Sequence, residues 1–436
     1  MLSFTTLILQ TELSGLKMKV PERAAAAVSR MPSWKLLNGK RPQPLAHVNP
    51  DFEHVIRDNV PFHVETLPLR DPDKFVPGQL HQHIDEWEKL LKSRGESSPP
   101  NNVIRAWLIN GVDATTMFTH FKGQFKGKQF DSDEPPKMFF PNAENCRNHI
   151  PFIVSELEKR LSNGALTLLG KLGECPLPRL IMPLTVEPSK PRLCHDERFL
   201  NLWVKDNPFK LDTLQHLHRL IDKDARMISC DDKSGYDHAF LSENCKEYFG
   251  ITFAGWVMVC NTLPFGWKAS AFVYQSIGYV ATSYLRSFQI RNTQYIDDRH
   301  AVETIDPKTN NPVLDITVIK YSLLQLLSRL GYTIAFHKSF LDACTSLRHL
   351  GFIVDSVLCA YLLPEDKKAS FSSLRDWILG EKVITVKMLQ RFVGKCISLA
   401  LVVPGASLYT KEMNRAISSA TLRSSNTVKM CSSLIQ

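Results

Sequence analysis

Three carboxylates stand out for the chemistry they could share. A short apolar run, Met227-Ile228-Ser229-Cys230, ends in Asp231-Asp232, and a second strand-like run, Asn292-Thr293-Gln294-Tyr295-Ile296, ends in Asp297-Asp298. Magnesium is a hard ion that takes a few carboxylate oxygens and fills its octahedral shell with water and phosphate oxygens. With the two strand ends side by side, Asp231, Asp297 and Asp298 can hold two such ions about 3.5 to 4 Å apart, the spacing used for in-line phosphoryl displacement. One ion then lowers the pKa of an attacking hydroxyl, and the other neutralises charge on a departing pyrophosphate. Each acidic pair alone also fits a solvated turn or a helix cap.

Two further segments change that balance. Between the acidic pairs lies Leu263-Pro264-Phe265-Gly266-Trp267-Lys268-Ala269-Ser270-Ala271-Phe272-Val273-Tyr274-Gln275, a Pro-Gly turn that opens a helix; its plain alternative is a loop followed by a core helix with an aromatic stripe. Upstream stands Lys190-Pro191-Arg192-Leu193-Cys194-His195-Asp196-Glu197-Arg198-Phe199-Leu200-Asn201. Lys190 and Arg192, two apart on a strand, project to one face and can grip a triphosphate, or simply line an exposed strand face.

In this order and spacing the four segments resemble the reverse transcriptases of retrotransposons and retroviruses, in particular gypsy-like and tyrosine-recombinase retrotransposons. Lys190 to Asn201 looks like the fingers motif R-x-x-x-D-x-R-x-L-N, matched at Arg192, Asp196, Arg198, Leu200 and Asn201. Asp231 to Tyr236 is similar to the palm motif D-L-K-S-G-Y, Leu263 to Gln275 to L-P-Q-G-W-K-G-S-P-x-x-F-Q, and Tyr295 to Asp298 to the Y-x-D-D box. Leu330 through Lys338 resembles the next palm motif, His349-Leu350-Gly351-Phe352 the primer grip entry, and Leu389 to Lys395 a thumb or connection helix. The similarity covers roughly residues 145 to 420.

The resemblance implies an α+β, right-hand polymerase fold with fingers, an antiparallel palm sheet carrying helices, and a helical thumb or connection. It implies RNA-directed DNA polymerase activity with RNA template, DNA primer and deoxynucleotide partners, and two magnesium ions, manganese being a possible substitute. Residue by residue, Asp231, Asp297 and Asp298 become catalytic metal ligands. Arg192 and Lys190 would hold the triphosphate, and Tyr236 would be an aromatic gate that leaves no room for a 2′-hydroxyl. Gly266 and Gln275 would contact the nucleotide and template, and Lys338 would be a general acid for pyrophosphate.

The rest of the chain must position these groups. At 436 residues it can bury two or three cores, and 44% hydrophobic with 22% charged residues fits a globular protein rather than a disordered or membrane-spanning one. A formal charge of +9 points to an anionic partner, nucleic acid before membrane, although a solvated basic surface gives the same balance. Ten scattered cysteines without a C-x-x-C pair read as reduced thiols of an intracellular protein, and the apolar residues 1–9 lack the basic lead of a signal peptide.

Residues 1–75 read as a loosely structured leader, 76–164 as a helical N-terminal segment, 165–347 as fingers and palm, and 348–436 as primer grip with helical thumb or connection. Helices are expected at Gln79–Lys92, Asn102–Asn110, Asn145–Leu161, Thr213–Asp222, Ala269–Arg286 and Thr317–Leu330. Strands are expected at Leu180–Val186, Arg192–His195, Arg226–Cys230 and Thr252–Cys260. Lys122 to Asn142 reads as a loop, and the chain beyond Pro364 as helical to its end.

Departures from the family pattern carry their own expectations. Asp232 replaces an apolar residue, and Arg299-His300 follow the box where apolar residues are usual. Strand alternation turns one of these two inward, and Asp232 is the expected partner of Arg299. Phe265 in place of glutamine suggests a mobile-element rather than a viral type. An RNase H domain needs its own carboxylate cluster, which the residues after Ile417 do not supply; RNase H and integration are expected from other sequence. Two other readings stand beside the polymerase: an inactive or co-opted remnant that binds nucleic acid, favoured by the short C-terminal end, and an RNA-directed RNA polymerase, disfavoured by Tyr236 and the fingers motif.

Overall fold

The computed structural model describes residues 67–95, 97–187, 191–306, 308–403 and 406–430. Most of the expected leader, and Lys190, lie outside them.

Helices α1 (Ile84–Ser93) and α2 (Asn101–Asn110) come first. Trp87, Leu90 and Leu91 share the buried face of α1, while Asp85 and Glu86 occupy its first turn, where the helix dipole favours negative charge. The segment expected to be a loop instead contains a hairpin, β1 (Phe121–Phe125) and β2 (Lys128–Ser132), and a short strand β3 (Met138–Phe139). Phe121, Phe125 and Phe130 alternate inward and their rings lie 4.9 to 5.3 Å from those of Phe199 or Trp203. Lys126-Gly127 makes the tight turn with φ of 47° and 84°. Composition hid this hairpin because only Phe121, Phe125 and Phe130 of its strand residues are apolar.

Helix α3 (Ile150–Ser162) ends at Gly164, whose φ is 85°, and leads into β4 (Leu166–Lys171). The strand expected over 180–186 is broken at Pro183, which has no N–H for a ladder, into β5 (Leu180–Ile181) and β6 (Leu184–Glu187). β6 pairs antiparallel with β7 (Arg192–His195). Only Leu214–Leu217, α4, is helical where a longer helix was expected. The chain turns early there, and Asp222 meets Arg291 at 2.6 Å.

The central strand β8 (Met227–Asp231) follows. The single strand expected over 252–260 is a hairpin, β9 (Gly250–Phe253) and β10 (Trp256–Cys260), turning through Ala254-Gly255 at φ 49° and 80°. After α5 (Ser270–Ser287) come β11 (Arg291–Tyr295), β12 (Asp298–Val302), β13 (Thr304–Ile305), β14 (Pro312–Leu314) and α6 (Ile316–Arg329). Then follow β15 (Phe340–Cys344), β16 (Ser346–His349), β17 (Phe352–Asp355), β18 (Ala360–Leu362) and α7 (Glu365–Gly380). The chain closes with β19 (Val383–Thr385), α8 (Val386–Ser398), α9 (Ala406–Tyr409), α10 (Lys411–Leu422) and β20 (Thr427–Lys429). The C-terminal part is therefore not wholly helical: β19 and β20 pair antiparallel, and Ile384 and Val428 complete a core with Ile378, Leu389 and Phe392.

A four-stranded antiparallel sheet, β11-β12-β8-β15, stands at the centre. Beside it lie a five-stranded sheet, β3-β5-β9-β10-β4, and a three-stranded sheet, β16-β17-β18. One apolar cluster extends from Leu67 to Phe336, so the segment before residue 164 and the sheets after it bury each other. A second cluster, including Met227, Val302, Leu347 and Val354, joins the central sheet to the three-stranded one. Among the described residues no helix is long and apolar enough to cross a membrane.

Candidate active site

The carboxylates meet because of strand register. β8 and β12 pair so that Asp231 lies opposite Asp298, and residues directly opposite across an antiparallel pair share a face with Cα atoms roughly 4.5–5.5 Å apart. Asp297 occupies the turn between β11 and β12, where Tyr295 pairs with Asp298. The Asp232 amide donates to the Asp297 carbonyl at 3.0 Å, clamping the turn against the end of β8. Asp231 is itself anchored, its N–H donating to Ser339 Oγ at 3.0 Å and its carbonyl accepting from Ala335 N at 2.8 Å.

That turn is strained, and buried glutamines hold it. Ile296 has φ of 57°, a conformation that a β-branched residue adopts at a cost of order 1–3 kcal/mol. Its N–H donates to Gln275 Oε1 at 2.8 Å and its carbonyl accepts from Gln294 Nε2 at 3.0 Å. Gln275 also donates to the Gln294 carbonyl at 3.2 Å and is 3% exposed. Its amide thus braces the turn. Sequence reading gave Gln294 and Gly278 no role. A Cβ at Gly278 would lie 2.1 Å from Gln294 Nε2, so the glycine makes room for the brace. The one signal available was a glycine in the interior of a long helix.

Electrostatics mark the same spot. Burial, with the charges of Asp297 and Asp298, pushes the Asp231 carboxyl up to about 7 despite Lys338. Burial and Asp297 push Asp298 up to about 6, and burial with Asp232 raises Asp297. Asp231 Oδ1 is buried without a hydrogen bond, and Lys338 Nζ stands 3.6 Å from it. Among the described residues no three or more His, Cys, Asp or Glu side chains form a ready-made metal cage. A hard cation that keeps several waters and phosphate oxygens needs only one or two carboxylates. Clustered, desolvated carboxylates with an unsatisfied oxygen fit that demand.

The other expected residues surround this cluster. Tyr236 is half-buried on the turn after β8, its ring 4.8 Å from Phe265 and 5.7 Å from Tyr274, and burial together with Asp297 pushes its hydroxyl up to about 12. Gly235 lets this turn approach, since a Cβ there would stand 3.1 Å from Asp297 Cβ. Gly266 has φ of 115°, and a Cβ on it would lie 2.0 Å from the His195 carbonyl. Asn201 ties the same loop to the end of β7, donating to the Gly266 carbonyl at 2.8 Å and accepting from Lys268 N at 2.9 Å. Arg192 is exposed on β7, and its charge acts to lower the Asp297 carboxyl. Lys338 is exposed at the rim.

Arg299 and Asp232 form the expected pair, but both Arg299 and His300 are buried, rather than one of them. Alternation does send them to opposite faces, and each face is covered. Arg299 packs over the Tyr332 ring at 4.6 Å, while His300 lies 5.0 Å from the His349 ring of the three-stranded sheet. Burial and His349 hold the His300 ring far below its usual range, and so neutral.

Sheet, turn and flanking helices define the mixed α/β fold of reverse transcriptase fingers and palm. Solved structures similar to this chain include foamy viral enzymes. The foamy viral protease-reverse transcriptase dRH in complex with double-stranded DNA matches with a TM-score of 0.53 and 17% identity over 86% of this chain. The same protein in complex with an RNA/DNA hybrid gives a TM-score of 0.54 and 17% identity over 80%, and with double-stranded DNA 0.52 and 16% over 80%. This chain spans 59%, 44% and 68% of those chains respectively. No protein-family model matches the sequence, and no curated protein is similar to it.

Proposed function

We propose that this chain is an RNA-directed DNA polymerase of a retrotransposon, extending a DNA primer on an RNA template. The observation that carries the reading is the placement of Asp231 opposite Asp298, with Asp297 on the adjoining turn, in a desolvated cluster of raised carboxyls. The bound nucleic acids of the foamy viral enzymes support the choice of partners. In this reading residues 165–347 act as fingers and palm, 348–436 as primer grip and thumb or connection, and 76–164 as an N-terminal segment packed against them.

Asp231, Asp297 and Asp298 would hold two magnesium ions, or manganese in their place, which supply activation of the primer 3′-hydroxyl and charge neutralisation on pyrophosphate. The chain's own groups do the rest. Arg192, with Lys190 beside it in sequence, binds the triphosphate oxygens. Gly266 lets the loop pass close to β7, so that the nucleotide can approach the backbone. The Tyr236 ring, backed by Phe265 and Tyr274, fills the space a 2′-hydroxyl would need. Lys338, whose Nζ stands 3.6 Å from Asp231 Oδ1, would donate a proton to pyrophosphate. Gln275 and Gln294 position Asp297 without touching substrate.

The test is primer extension on an RNA template with magnesium. Deoxynucleotide incorporation that disappears in Asp297→Asn supports the assignment. Absence of incorporation by the wild type, with primer–template binding retained, would instead identify a co-opted nucleic-acid-binding remnant.

A further inference from the structure

A cavity of about 970 Å³ lies apart from the aspartates, between α2, the crossing segment after the fingers-type motif, and the first turn of α5. Four amide side chains border it, Asn102, Asn110, Asn207 and Asn244, with Trp107 and Phe272 among the walls. The two rings meet edge to face at 5.9 Å. Its size falls within the range of small-ligand sites.

The lining is close to electrically neutral. Asp113 accepts from Thr115 N at 2.9 Å and Thr115 Oγ1 at 2.7 Å, Glu243 pairs with Lys246, and Lys205 is exposed at the rim. Asn102 spends its oxygen on Val103 N at 3.0 Å, and Asn207 donates to the Lys205 carbonyl at 3.2 Å, which leaves an amide donor on the first and an amide oxygen on the second. Paired donors and acceptors beside aromatic surface suit a planar heterocycle with a hydrogen-bonding edge. Asparagine matches the edge of adenine with two bonds, and every base has a face to stack.

Position selects a strand over a free ligand. Phe272 lies one helical turn before Gln275, which braces the Asp297 turn. Its ring also meets the exposed Phe209 at 6.0 Å. Phe209 and the exposed Lys205 and Lys210 sit on one crossing segment, an aromatic platform flanked by cations. A strand running from the aspartates along the start of α5 reaches Phe209 and then the cavity.

We propose that this cavity receives an unpaired base of the single strand leading into the catalytic centre, with Lys205 and Lys210 on its phosphates. The α2 segment, N-terminal to the sheets, thereby becomes part of the strand-binding surface. The proposal rests on the polymerase reading for the direction of the strand.

The test uses the full chain and a primer–template whose RNA overhang carries 4-thiouridine. Irradiation should link the overhang to peptides containing Trp107, Phe209 or Phe272. Asn110→Ala/Asn244→Ala, changing two exposed residues, should bind an adenine-rich single-stranded RNA about tenfold more weakly and a blunt duplex equally well. Crosslinks confined to other peptides, or unchanged affinity for the single strand, overturn the assignment, as does an equal loss on both ligands. A chain that crosslinks as expected yet incorporates no nucleotide loses the polymerase reading and keeps the cavity. One that extends primers while the double variant binds single strands like the wild type loses the cavity alone.

Discussion

Arg299 and Asp232 form a buried, two-pronged ion pair behind the Asp297 hairpin, with Arg299 Nε 3.1 Å from Oδ1 and Nη2 3.1 Å from Oδ2 of Asp232. Tyr274 donates its hydroxyl to the same carboxylate at 2.8 Å. Burial holds the Asp232 carboxyl above its usual range although Arg299 and the Tyr274 hydroxyl pull it down, while a guanidinium does not give up its proton.

Removing one partner leaves the other charge buried. Arg299→Met or Asp232→Leu alone should therefore cost about 3–5 kcal/mol in urea unfolding, and the double replacement markedly less than the sum. Additive losses would show that the two groups act independently.

The Asp231 carboxyl gives a prediction with a definite sign. Its pKa rises from 3.8 to about 7 on folding, so between those values the unfolded chain gives up the proton first and stability falls as pH rises. Without magnesium, Asp231→Asn should melt higher than the wild type at pH 8, and the advantage should shrink toward pH 4. Added magnesium should restore the wild type and leave the variant unmoved. A variant less stable than the wild type at every pH contradicts the crowded-carboxylate picture.

Tyr236→Ala should lower selection for deoxynucleotides over ribonucleotides by about tenfold or more, because the loss opens a steric wall and removes no bond. Single-turnover incorporation of matched dNTP and rNTP measures the ratio. An unchanged ratio assigns Tyr236 to packing against Phe265 and Tyr274.

Glu197 is buried, with neither carboxylate oxygen hydrogen-bonded; burial, then Asp196, pushes it from 4.5 to about 8. By the same linkage it lowers stability progressively from pH 4.5 to 8. Glu197→Gln should flatten that slope in thermal melts while leaving the region below pH 4.5 unchanged. Parallel curves across the window would mean the acid finds a partner on folding.

Sequence alone determined the identity and order of the candidate site groups, because each motif is local. An acid ends a strand, a Pro-Gly turn opens a helix, and Lys190 and Arg192 stand two apart in sequence. The long amphipathic helices were legible for the same reason. The Asp232–Arg299 pair could also be anticipated, since strand alternation left a charge needing an opposite one.

Tertiary packing decided what no local pattern encodes. The β1-β2 hairpin is apolar only at Phe121, Phe125 and Phe130 and is specified by Phe199 and Trp203, about seventy residues further along. His300 is buried because a separate sheet brings His349 over it. Gln275 braces the hairpin turn because the strained Ile296 on another element needs its N–H satisfied. Hydrogen-bond demand and close packing act between segments distant in the chain, so only the folded arrangement assigns these side chains their partners.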